Sequence, residues 1–159
     1  MVKLPPKSEW PPGPWLDEPD RCDWIDETTR YLCIVNRHWA YGTWVGYVGI
    51  PEKHPCARRD INTDLFRVHG GITYVGDFLM LDPNPEGGFW FGFDCAHSGH
   101  ADYGPFLPDM LGDLRADYPD WPKPTYKTFE FARDQCRYLA LQLKAMESGS
   151  PPATHGSDG

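Results

Sequence analysis

The sequence predicts an α+β fold, an antiparallel β-meander of about four strands packed against one long C-terminal helix. Three observations carry that expectation. Four runs dense in β-branched and aromatic residues succeed one another between Arg30 and Asp94. The links between them include short or Pro/Gly-rich turns, which favour antiparallel neighbours over crossovers. Only Thr128 to Glu147 repeats its apolar residues convincingly at helical spacing.

Taken in order, residues 1–20 hold six prolines with Trp10 and Trp15 between them. Such a stretch enters neither a helix nor a central strand, so it reads as an extended arm whose indoles pack on the domain surface. The expected domain runs over 21–147. Its strands are Arg30 to Asn36, Gly42 to Ile50, Phe66 to Phe78 (bulged or split at His69-Gly70-Gly71) and Gly88 to Asp94. Arg37 to Tyr41 suits a hairpin link, and Asp82-Pro83-Asn84-Pro85-Glu86-Gly87 is a strong turn signal. Asp109 to Asp117 suggests a short helix. In the long helix Phe129, Ala132, Cys136, Leu139, Leu143 and Met146 form one stripe, with Thr128 as N-cap and Glu130 in the first turn. Residues 148–159 are Gly/Ser/Pro-rich and expected to be disordered.

Composition bounds the function. A chain of 159 residues, 40% of them hydrophobic, can bury a core without disulfides or metal. A formal charge of -8 with no basic stripe argues against binding a nucleic-acid duplex. One small anion can still be held by backbone N–H groups and a few arginines. Five cysteines, an odd set without CxxC spacing, point to a reducing compartment. No apolar run suggests a leader or a membrane span, so the expected location is cytoplasmic, without membrane partners.

Two segments put polar chemistry inside strand-like runs: Val68-His69-Gly70-Gly71-Ile72-Thr73-Tyr74 and Phe91-Gly92-Phe93-Asp94-Cys95-Ala96-His97. A buried strand has little use for imidazole, carboxylate and thiol, and paired glycines allow close approach of a ligand. Each candidate also has a plain structural explanation: His69 ordering a glycine bulge, Asp94 capping a turn, His97 steadying it. Cys95 and His97, two apart, would project to one side of a strand. With His54 and Cys56 they would make a Cys2His2 zinc set. His69, Asp94, His97 and His100, with Asp102 nearby, instead make an O/N ligand set for a divalent metal with open positions for substrate. Cys95 activated by His69 or His97 is a third arrangement. Arg58 and Arg59 could clamp a phosphate or carboxylate if their loop folds over the histidines, beside His54. Trp44, Tyr47, Tyr74, Trp90 and Phe93 would then wall the pocket.

The succession Gly46-Tyr47-Val48-Gly49-Ile50-Pro51, His54-Pro55, Asp60, Asp64, the VHGG segment and the FGFDCAH segment resembles a group of small bacteriophage accessory proteins of uncharacterised activity. The likeness spans about Trp44 to Leu143. It implies a phage origin, action within an infected cell and a role against host defence, and it implies no mechanism. Three functional classes follow. The first expectation is a binding protein for a small polar, nucleotide-derived ligand, using His54, Arg58, Arg59, His69, Gly70, Gly71, Cys95 and His97. The second is a metal-dependent hydrolase using His69, Asp94 and His97. The third is a protein that covers a host defence partner with its acidic surface and its Trp10/Trp15 arm. No P-loop, serine elbow or HExxH motif marks catalysis.

Overall fold

The structure, a computed structural model, describes residues 3–97, 102–107, 116–120 and 123–148. His100, nearly all of the short helix expected over 109–117, and the tail after residue 148 lie outside the described residues. Five antiparallel strands, β1 (Arg21–Ile25), β2 (Leu32–Arg37), β3 (Trp44–Ile50), β4 (Tyr74–Gly76) and β5 (Phe89–Asp94), form one sheet in the order β1-β2-β3-β5-β4. β6 (Asp102–Tyr103) and β7 (Thr125–Tyr126) make a small parallel pair, and α1 (Phe129–Ala145) lies across the sheet. The architecture is α+β, with its long helix at the expected place.

Alternation builds the covered face. Cys33 and Val35 of β2, Trp44 and Val48 of β3, and Phe89, Phe91 and Phe93 of β5 point to α1. The helix answers with Ala132, Cys136, Leu139, Ala140 and Leu143, all fully buried. Gly46 sits where a Cβ would enter the Phe93 ring, so its lack of a side chain admits the aromatic. The Thr128 hydroxyl accepts the Phe131 N–H at 3.2 Å as N-cap.

Three departures from the expected layout stand out. β1 was not expected: Cys22 and Trp24 pack inward while Arg21 and Asp23 pair outside at 2.8 Å, the charged alternation of an edge strand. The strand expected over Phe66 to Phe78 contracts to Tyr74–Gly76. Gly70 and Gly71 have φ of +69° and +81°, and they turn the chain away from sheet pairing. The backbone before them is instead paired by the helix. Gln142 accepts the Arg67 N–H at 2.7 Å and donates to the Arg67 carbonyl at 2.8 Å, and Gln135 accepts the His69 N–H at 2.8 Å. Finally, the meander holds for β1 to β3, after which β5 takes the place beside β3 and sends β4 to the edge.

The Pro-rich arm is built into this core. Trp10 and Trp15 are 7% and 2% exposed, Trp15 against Tyr126 and Trp10 against Phe106. Glu18 completes the contact. Its Oε2 accepts the Phe129 N–H at the start of α1 at 2.9 Å, and its Oε1 accepts from Arg37 at 3.1 Å, from Trp44 Nε1 at 3.2 Å and from the Tyr126 hydroxyl. Arg37, buried over the Trp44 ring, thus has its counter-charge supplied by the arm.

Candidate functional site

The VHGG and FGFDCAH segments meet beyond the C-terminal end of β5. Asp102, brought there by the β6–β7 pair, is the hub. Its side chain is wholly buried and accepts His69 Nε2–H at 2.8 and 2.9 Å, the His97 N–H at 2.9 Å and Lys127 Nζ at 3.3 Å. Burial pushes the Asp102 carboxyl up, but the His69 ring and the other donors outweigh it, and its pKa falls below the usual carboxylate value. The His97 ring lies on Gly70, where a Cβ would collide with it, and its Nε2 is 3.1 Å from Asp94 Oδ1. The two imidazoles stand edge to face at 5.8 Å, and His69 also meets Phe131 of α1 edge to face at 5.3 Å. Two His–Asp pairs therefore lie side by side, one buried and one partly open.

His69, Gly70, Asp94 and His97 are thus brought together; Gly71 adjoins them with open space over its Cα. The other candidates are elsewhere. His54 is 3% exposed; its Nδ1 accepts the Cys56 N–H at 2.9 Å, so its Nε2–H donates to the Leu143 carbonyl at 2.8 Å, closing the end of α1. Cys56 lies against Met146. Arg58 is taken by Glu52 at 2.7 Å and Asp77 at 2.8 Å, and Arg59 is exposed on the same loop. Arg58 is thus committed to a carboxylate of its own loop and one just after β4, not to the histidines.

Cys95 falls on the helix-covered face, 1% exposed. Burial pushes its thiol well above the ordinary range and the Asp102 and Asp94 carboxylates add to the shift, which disfavours the thiolate that a nucleophile needs. The strand ends at Asp94, so the alternation that would put Cys95 and His97 on one side does not reach them: Cys95 joins the core and the His97 ring lies on Gly70. Among the described residues no three His, Cys, Asp or Glu side chains are arranged to hold a metal ion, so the Cys2His2 set is not assembled.

The expected aromatic wall is split by strand alternation. Trp44 and Phe93 are sealed under α1, whereas Tyr47, Tyr74 and Trp90 project to the opposite face. There Ile34, Trp90 and Leu79 make a small second cluster, with Tyr47 lying over Gly92 and edge to face with Tyr74.

Beside that cluster is a groove of about 410 Å3, which includes Asn36, His38, Trp39, Val45, Tyr47 and Met80 in its lining. Asn36 pairs with Val45 and Val45 with Asp94 across the sheet, so this row carries the groove floor toward Asp94 and His97. His38 stacks on Tyr41 at 4.6 Å and beside Trp39 at 5.7 Å. Its Nδ1 accepts the Ala40 and Tyr41 N–H groups at 3.1 and 3.2 Å, which leaves Nε2–H as the donor of the neutral ring. Burial lowers its pKa, against the opposing charge of Asp94, and so favours that neutral form. Trp39 and Met80 are 59% and 71% exposed. Sequence reading missed Asn36, His38 and Trp39 because they lie at a strand end and hairpin, where a histidine next to a tryptophan carries no motif.

No helix among the described residues is long and apolar enough to cross a membrane. Scans against protein-family models, curated proteins and solved structures find no match to this chain.

Proposed function

We propose that this protein binds a small, planar, polar ligand in the groove between the His38–Trp39 turn and Met80, on the sheet face opposite α1. One observation carries the reading: exposed aromatic surface and a polar row meet in one concavity of about 410 Å3, a size suited to a small ligand. A ring would stack against Trp39 and Tyr47, while Asn36, His38 Nε2–H and the nearby Asp94 carboxylate supply donors and an acceptor for its edge. Nucleobases offer such faces and edges, in keeping with the nucleotide-derived ligand and the anti-defence role that the phage resemblance implies.

The test is a fluorescence titration of the full chain with adenosine, guanosine, cytidine and uridine. Saturable binding of at least one nucleoside is expected, weakened about tenfold or more by Trp39→Ala with an unchanged melting temperature. Absence of saturable binding for all four, or equal affinity in Trp39→Ala, overturns the proposal.

The second expectation, metal-dependent hydrolysis, finds less support: His69, Asp94 and His97 gather in one neighbourhood, but no three such side chains among the described residues are placed to hold a metal ion. Elemental mass spectrometry of protein purified without a His tag decides it: stoichiometric zinc, manganese or iron supports the hydrolase, and a folded metal-free protein removes it. Capture of a host protein by the arm is not supported, because Trp10 and Trp15 are spent on the protein's own core.

A further inference from the structure

A different pocket, of about 400 Å3, opens where the β1–β2 turn, the end of β3 and the Glu86–Gly88 loop approach the C-terminal end of α1. Three cations and two carboxylates stand at it: Arg30, Lys53, Lys144, Glu86 and Glu147. Lys144 and Glu147 satisfy each other at 3.1 Å, and Glu147 also accepts the Tyr31 hydroxyl. Arg30 and Lys53 make no ion pair with any described residue. In a chain of formal charge -8, two uncommitted cations at one concavity call for an account.

The backbone sharpens the question. Arg30 has φ of +66°, in the left-handed region that glycine or asparagine occupies with less strain. Arg58 is the other described non-glycine residue with positive φ, and it is held by two carboxylates. The left-handed Arg30 backbone closes the β1–β2 turn, its N–H donating to the Asp26 carbonyl at 2.8 Å, while its guanidinium, unlike that of Arg58, has no carboxylate partner among the described residues. Opposite it, Gly87 and Gly88 have φ of +67° and +85° and leave the wall free of side chains. Trp90 Nε1–H donates to the Gly87 carbonyl at 3.2 Å and fixes that wall in place.

We propose that this pocket is a second binding site, for a phosphate-like oxyanion, contacted by Arg30 and Lys53 against the Gly87–Gly88 backbone. A guanidinium offers paired N–H donors matched to phosphate oxygens, and an ammonium adds a point charge. Both side chains are exposed, so binding weakens with added salt. Glu86 opposes the anion. The site is independent of the groove.

The experiment is a nitrogen-15 NMR titration of the full chain with inorganic pyrophosphate at low ionic strength. Saturable shifts at Arg30, Lys53, Gly87 and Gly88 are expected. Arg30→Asn tolerates the left-handed turn and keeps the fold, yet it and Lys53→Gln should each weaken binding about tenfold. Glu86→Gln should tighten it. A nucleoside diphosphate that binds more tightly than pyrophosphate marks the anion as part of a larger ligand; equal affinity marks the inorganic anion itself. Shifts that never saturate, or that persist unchanged in both Arg30→Asn and Lys53→Gln, overturn the proposal.

Discussion

The two faces of the central sheet are built from the same strands and behave as different materials. The face under α1 is sealed: Phe91, Phe93, Val48 and Cys136 are fully buried, and the charged group admitted beside them, Arg37, arrives with Glu18 as partner. Among the described residues only a loop covers the opposite face. Leu79 and Leu81 close its middle over Trp90 and Ile34, and both pockets open beyond that patch, toward opposite ends of β3. Helix cover seals one face and incomplete cover leaves concavities on the other, because residues that a helix has desolvated have no exposure left to offer a ligand. The His69–Asp102 network lies where the two faces meet, with His69 against the helix and Asp94 paired in register with the groove's Val45.

The strongest way to break this contrast is to open the sealed face. Phe91→Ala should cost about 3–5 kcal/mol by urea unfolding, as expected for a truncated buried aromatic, whereas Val45→Ala on the other face should cost about 1 kcal/mol or less. Similar losses at the two positions would show that the groove face is as well packed as the helix face.

Next in size is the junction. Asp102→Asn weakens the charge-assisted bonds from His69 and Lys127 and should cost about 2–3 kcal/mol at neutral pH. The folded carboxyl has a lowered pKa, so its contribution is full above the ordinary carboxylate range and is lost as pH falls through the folded value. Wild-type stability should therefore fall more steeply than that of Asp102→Asn below about pH 4. Parallel curves would show that Asp102 is not the linked group.

A smaller effect than at Asp102 is expected at Gly70, where Ala must both adopt positive φ and displace the His97 ring. Gly70→Ala should cost about 1–2 kcal/mol, and adding His97→Ala should return part of that loss, since the steric share disappears with the ring. Strict additivity of the two substitutions would place the ring elsewhere in solution.

Periodicity made much of this legible. The apolar stripe from Ala132 to Leu143 and the alternation in β2, β3 and β5 are local patterns that name a helix, its buried side and the strands it covers. The VHGG and FGFDCAH segments were readable as a pair of unusual sites for the same reason: imidazole and carboxylate break an apolar run. Their chemical partners were not readable. Asp102 reaches His69 only because β6 pairs with β7, and Gln135 and Gln142 look like ordinary helix-surface residues until Arg67 and His69 are laid against them.

The sequence by itself determined the α+β class, the span of the helix, and the presence of β-forming runs between Arg30 and Asp94, because these follow from spacing along one chain. Tertiary structure alone decided that β5 enters beside β3, that the Trp arm and Glu18 complete the core, and that Cys95 turns inward while Asp94 turns out. Those outcomes depend on which distant surfaces can exclude water together and which buried charges find a partner, and neither quantity is written in any local pattern.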